Sequence, residues 1–198
     1  MKKRIVTISR QYGSGGHAVA EMLSQELGIP LYDNEAISTA VQDSELDQWQ
    51  FPMADTMRKT SLLYTLSNTT PRFDLRSMPY DEAIFKAQSE AIRRLADEGP
   101  GIFVGRCGNY VLQNREDCVH VFICGSLEAR TRRAVEVYGL DSKDPMKQIR
   151  RVDRARETYY NGNTGLRWGF GANYDLSINT DQIGVEGAVA LIKAYMEL

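Results

Sequence analysis

Three glycines in four positions, Gly13-Ser14-Gly15-Gly16, constrain this chain more than any other feature. They follow a short β-branched run, Arg4–Ser9, and lead into Gly15–Leu27, where Ala18, Met22, Leu23 and Leu27 recur at helical spacing before Gly28 stops the pattern. Strand, glycine-rich turn and helix together make a phosphate cradle. The glycines let the backbone curl until several N–H groups converge, and the helix N-terminus adds positive potential. A plain strand-to-helix turn needs no such density of glycine.

The loop departs from the full Walker pattern GxxxxGK[ST]. With Gly15 as the later motif glycine, Arg10 occupies the first glycine position, Gly16 the lysine position and His17 the hydroxyl position. That lysine normally compensates charge on the transferring phosphate, so Arg10 or a more distant arginine has to supply it. A second motif overlaps the first. Gly13-x-Gly15-x-x-Ala18, with Asp33 ~20 residues further on, fits a dinucleotide-binding fingerprint. Arg10-Gln11-Tyr12, between strand and first glycine, lengthen the loop toward P-loop size.

The remaining pattern alternates strands and helices, predicting a parallel sheet covered on both faces. Strands are expected at Ile29–Tyr32, Gly101–Val104, Val119–Cys124 and Tyr174–Asn179. Helices are expected from Glu35 to Val41, over Tyr80–Asp97, from the cap Ser126 to about residue 138, over Pro145–Tyr160 and over Gly184–Met196. Residues 43–79, with three prolines, read as a helix-and-loop insert. Its Trp49, Phe51, Leu62, Leu63 and Tyr64 offer either a homodimer surface or the insert's own packing.

A chain of 198 residues suits one domain, 1–198. A net charge of −2 gives no bulk attraction to nucleic acid or to an anionic membrane. No apolar run is long enough to span a bilayer. The three cysteines lack the spacing of a disulfide framework or zinc site, and with only two histidines the expectation is a cytoplasmic protein without a His/Cys metal centre.

Arginine is the second functional signal. Arg130, Arg132 and Arg133 lie in one predicted helix, and Arg150, Arg151, Arg154 and Arg156 in the next. Like charges at i,i+4, as in Arg150 and Arg154, repel unless an anion or acidic neighbours offset them. As a cluster they point to anionic ligands. Arg106 and Asp33 end predicted strands, where ligands sit in parallel α/β sheets. Arg106 suits an acceptor phosphate and Asp33 a base or sugar, with a helix cap or ion pair as the alternative for either.

Taken in order, Ile8–Gly16, Leu27–Asp33, Val104-Gly105-Arg106-Cys107, Asp153–Arg156 with Tyr159-Tyr160, Thr164-Gly165, Trp168-Gly169 and Asn173–Leu176 resemble the cytidylate kinase-like family over nearly the whole chain. The resemblance implies a P-loop NTPase fold with an NMP-binding insert at about 43–79 and a helical lid at about 141–170. It implies ATP and Mg²⁺ as cofactors, and transfer of the ATP γ-phosphate to a nucleoside monophosphate, CMP or dCMP by default. Residue by residue, it implies nucleotide binding by Gly13, Ser14, Gly15, Gly16 and His17, and acceptor binding by Asp33 and Arg106. It places Arg130, Arg133, Asp153 and Arg156 in catalysis, and Arg10 joins them as the replacement for the missing lysine. For magnesium no ligand is assigned, with Ser14 or nearby carboxylates as candidates. Gly16, and a strand Val121–Cys124 ending without a carboxylate, depart from the true enzymes. A nucleotide-binding regulatory protein and a dinucleotide-dependent enzyme are the other readings.

Overall fold

The protein was examined as a computed structural model, which describes residues 3–42 and 78–198. The insert lies almost wholly outside them, as does the aromatic surface from Trp49 to Tyr64.

Strand β1, Ile5–Arg10, is buried along nearly its whole length. A strand apolar on both faces belongs at the centre of a parallel sheet, and there it lies. The order is β2 (Leu31–Tyr32), β3 (Gly101–Val104), β1, β4 (Cys118–Cys124), β5 (Leu176–Asn179), with every pair parallel. Ile5 pairs with Gly101 on one side and Cys118 on the other.

Successive strand residues point to opposite faces, so the sheet has two cores. Val6, Ile8, Ile102, Val104, Val119, Val121 and Ile123 share one with α1 (Gly16–Leu27) and the C-terminal helix α7 (Thr180–Met196), through Val19, Leu23, Val189 and Ile192. Ile5, Phe103 and Cys118 share the other with α2 (Asn34–Gln42), α3 (Met78–Glu98) and α4 (Gly108–Val111), through Ile37, Ile92 and Leu112. Leu23 is fully buried, so its truncation to alanine costs about 2–5 kcal/mol.

Two further helices flank the carboxyl end of the sheet: α5, Leu127–Glu136, and α6, Pro145–Thr164. The Ser126 hydroxyl accepts from the Ala129 N–H as the expected cap. Helix α6 runs a turn beyond its expected end, buries Ile149, Val152 and Tyr160, and leaves Arg150, Arg151 and Arg154 in solvent. Helix α7 is two helical segments joined at a kink, where Gly184 is non-helical at φ 67°. A first turn, with the Asn179 side chain accepting from the Asp181 N–H, precedes the helix expected from Gly184. Strand β2 shrinks to two residues, and β5 begins at Leu176 rather than Tyr174.

Candidate functional site

The loop between β1 and α1 sits at the carboxyl end of the central strand. Gly13 and Gly15 adopt left-handed conformations, φ 78° and 83°. A Cβ on Gly13 would run into the Arg130 carbonyl, so glycine is required there for space as well as for φ. Ser14 is fully buried, and its hydroxyl donates to the Gln11 carbonyl at 2.8 Å, closing the turn from within. The N–H groups of Gly13, Gly15, Gly16 and His17 have no protein acceptor among the described residues. Unpaired N–H groups at a buried helix N-terminus are costly until an anion accepts from them.

A loop whose N–H groups converge inward leaves carbonyls needing donors elsewhere. Three arginines supply them. Arg130 Nη1 donates to the Tyr12 carbonyl at 3.0 Å, Arg133 Nη1 to the Gly13 carbonyl at 3.0 Å, and Arg156 Nη1 to the Arg10 carbonyl at 2.9 Å. Asp153 completes the collar, accepting from the Tyr12 N–H at 2.7 Å and pairing with Arg130 at 2.5 Å. Arg156 also lies over the Tyr12 ring, 5.7 Å from its centre, and burial lowers its pKa. The four residues expected in catalysis on helices α5 and α6 are thus all hydrogen-bonded to the loop's own backbone. Thr180 joins from α7, its hydroxyl donating to the Ser14 carbonyl at 2.7 Å. His17 stands apart, exposed and paired with Glu21 at 3.4 Å.

The strand ends carrying Arg106 and Asp33, the residues expected at an acceptor, are built differently. Arg106 and Cys107, just past β3, both hold left-handed conformations at φ 49° and 56°, costing about 1–2 kcal/mol each. The turn aims Arg106 so that its Nε donates to Asn34 Oδ1 and its guanidinium lies 5.2 Å from the centre of the Tyr159 ring. Asp33 caps α2, with Oδ1 accepting from the Glu35 and Ala36 N–H groups at 3.0 Å each. Arg10 extends into the same region. Its pKa is held well below the usual value, first by burial and then by Arg156 and Arg106, with Asp33 opposing. Tyr159 in turn donates to the buried Gln88 at 3.0 Å. Burial pushes the Cys107 thiol up to about 12, which suits packing and not nucleophilic chemistry.

Asn34, Gln11, Tyr159 and Thr180 were not singled out as site residues from the sequence. Asn34, next to a strand-ending aspartate, carried the clearest signal. The others act through backbone or ring contacts that residue type alone does not announce.

For magnesium the donor set is poor. Among the described residues there is no cluster of three or more His, Cys, Asp or Glu side chains. The Ser14 hydroxyl is engaged by Gln11, and Asp153 by Arg130 and Tyr12. A resident ion does not fit these residues. Magnesium would enter as part of a metal–nucleotide substrate, held by phosphate oxygens and water.

In the dinucleotide fold β2 lies beside β1, whereas here β3 separates them. With the glycine loop after the central strand, this order defines a kinase-like P-loop fold. The chain belongs to the cytidylate kinase-like family, whose model matches residues 5–182.

Solved structures agree on the fold. An uncharacterized protein from Eubacterium ventriosum is 25% identical, with a TM-score of 0.74, over 98% of this chain and 99% of that one. Shikimate kinase from Acinetobacter baumannii, in complex with shikimate, is 11% identical with a TM-score of 0.52 over 98% and 93%. A gluconokinase from Sinorhizobium meliloti is 18% identical with a TM-score of 0.54 over 99% and 94%. No curated protein matches the chain. No helix among the described residues is long and apolar enough to cross a membrane.

Proposed function

We propose that the chain is a phosphotransferase that binds ATP in the Gly13–His17 cradle and passes the γ-phosphate to a nucleoside monophosphate. The observation that carries this reading is the set of four loop N–H groups without protein acceptors among the described residues. CMP and dCMP are the first acceptors to test, on family membership. Arg106, oriented by Asn34 and Tyr159, holds the acceptor's phosphate. Arg130, Arg133, Arg156 and Asp153 keep the loop in its binding shape, a preorganisation that requires no movement at the moment of reaction.

An oxygen of the acceptor's phosphate attacks the γ-phosphorus. The bond from that phosphorus to the β,γ-bridging oxygen breaks, and ADP leaves with the electron pair. A phosphate monoester is largely ionised near neutral pH, so no side chain need remove a proton. Asp33, already engaged as a helix cap, is not required as a base.

The test is an ADP-release assay across nucleoside monophosphates, with shikimate and gluconate included because the structural neighbours carry those names, alongside calorimetric titration of ATP. Turnover with one monophosphate supports the reading. ATP binding without turnover on any acceptor overturns it and favours a regulatory nucleotide-binding protein, the reading that Gly16 in the lysine position suggests. Homodimerisation through 43–79 and a cytoplasmic location are proposals from the sequence, checked by light scattering and by cell fractionation.

A further inference from the structure

Gly16 and Arg10 fit each other. A Cβ built on Gly16 would lie 2.5 Å from Arg10 Cβ, 2.9 Å from Arg10 Cγ and 3.4 Å from Ile123 Cβ. Any side chain at 16 must therefore displace the stem of Arg10. The far end of Arg10 meets a second glycine, since a Cβ on Gly105 would collide with Arg10 Nη1. One glycine leaves room for the stem and the other for the head. The guanidinium thereby reaches from the first residue of α1 to the strand end that carries Arg106.

Among the described residues the Arg10 side chain makes no hydrogen bond or ion pair, although Arg106, Arg156 and Asp33 lie close enough to act on its charge. Arg130, by contrast, has Asp153 and two carbonyls. A partly buried guanidinium without a carboxylate needs an anion to offset its desolvation. The donor cradle lies at one end of Arg10 and the proposed acceptor-phosphate arginine at the other.

We infer that Gly16 is half of an exchange, in which the stem of Arg10 passes over Gly16 so that its guanidinium holds the γ-phosphoryl group that a lysine at position 16 would otherwise hold. This rests on the proposal that the cradle binds ATP. It makes Arg10 the residue that distinguishes a nucleoside triphosphate from a diphosphate. It also reads Gly16 as a requirement of Arg10, and not as the mark of an inactive protein.

The experiment compares ATP and ADP affinities by calorimetry for the parent chain, Arg10→Ala, Arg10→Gly, Gly16→Ala, Gly16→Ala with Arg10→Gly, and the exchange Arg10→Gly with Gly16→Lys, each checked by thermal melting. Glycine at 10 is needed because alanine would keep the Cβ that meets a side chain at 16. Loss of a charged hydrogen bond to the γ-phosphate predicts that Arg10→Ala weakens ATP about tenfold or more and ADP less than about threefold. Gly16→Ala, by pushing the stem aside, should reduce the same preference in the parent but change nothing once Arg10 is glycine, which removes the Cβ it would meet. Should Arg10→Ala fail to fold, Gly16→Ala alone still reads the preference. The exchange variant should bring ATP back to within about threefold of the parent, a lysine replacing one charged hydrogen bond by another.

Equal losses for ATP and ADP, no loss for either, or a parent that does not discriminate between them would overturn the inference. The turnover assay separates the two proposals. A parent that turns over and an Arg10→Ala variant that matches it sinks the role of Arg10 and leaves the kinase. A parent without turnover whose preference for ATP disappears in Arg10→Ala keeps the role of Arg10 and sinks the kinase.

Discussion

On the loop side of the site, Arg130, Arg133 and Arg156 each donate to a main-chain carbonyl, and Asp153 takes up both the Tyr12 N–H and the Arg130 charge. On the acceptor side, Arg106 is held by an amide oxygen and an aromatic ring, and neither it nor Arg10 has a carboxylate partner among the described residues. The same residue type therefore has two kinds of partner in one site. Where the backbone turns its N–H groups inward, arginines satisfy the carbonyls and stiffen the loop. Where the strand ends are open, arginine charge is left for a ligand. Counting positive charges near a phosphate loop would merge the two groups. Their hydrogen-bond partners separate them.

Stability and binding assays should divide along the same line. The largest effect is expected from Asp153→Ala, which strands the buried Arg130 and removes the acceptor of the Tyr12 N–H. Breaking such a pair costs about 3–5 kcal/mol, read as a lower urea midpoint with an unchanged slope. A loss below about 1 kcal/mol would place Asp153 with ordinary surface pairs and remove the distinction.

Arg106→Ala should weaken acceptor binding by ~1.5–3 kcal/mol, the value of a charged hydrogen bond, and leave the melting temperature and ATP affinity near the parent's. Unchanged acceptor affinity would remove Arg106 from the binding side. Arg133→Ala deletes one hydrogen bond among the described residues, to the Gly13 carbonyl. We expect ATP affinity to fall by about 1 kcal/mol in calorimetry with acceptor affinity untouched. An effect on acceptor alone would reverse the assignment of sides.

The smallest effect tests what the two sides share, the sheet beneath them. His120 on β4 meets Thr7 of β1 at 2.9 Å, near Cys118, Asp175 and Lys3. Burial lowers its pKa, with Asp175 opposing. The unfolded chain then binds the proton more readily, so stability is complete above an unfolded pKa of about 6.5 and falls as pH drops toward the folded value. Melting curves between pH 7 and 5 should show a shallow fall that His120→Gln flattens. A fall of equal slope in that variant would assign it to other groups.

Much of the fold was legible because it rests on local periodicity. The β-branched runs at Ile5 and Val119, the helix expected over Tyr80–Asp97 and the cap at Ser126 all have one-dimensional signatures, and each lies within a residue or two of its expected place. The errors fell where a side chain overrides the pattern. Asn179 caps an extra turn ahead of the helix expected from Gly184. The short helix Gly108–Val111 follows a left-handed pair that no propensity scale anticipates.

The site was legible in its membership and not in its wiring. Arg106, Arg130, Arg133, Asp153 and Arg156 converge on the loop and strand ends, while Arg150, Arg151 and Arg154 of the same predicted cluster face water. Helical phase explains the division, because Ile149, Val152 and Tyr160 fix which face of α6 turns inward. That carbonyls, and not phosphates, receive three of these guanidiniums depends on the loop's φ angles, which residue type does not encode.

The hydroxyl of Thr180 on the carbonyl of Ser14 joins residues 166 positions apart. During synthesis the glycine loop leaves the ribosome early, yet the strands on either side of β1 begin at Gly101 and Cys118, and the last polar tie arrives with Thr180. At 5–20 residues per second that interval is roughly 8–33 s. Throughout it the nascent chain carries the whole glycine motif without a finished cradle around it. A nucleotide bound as proposed could act as a folding ligand only after Thr180 has been synthesised.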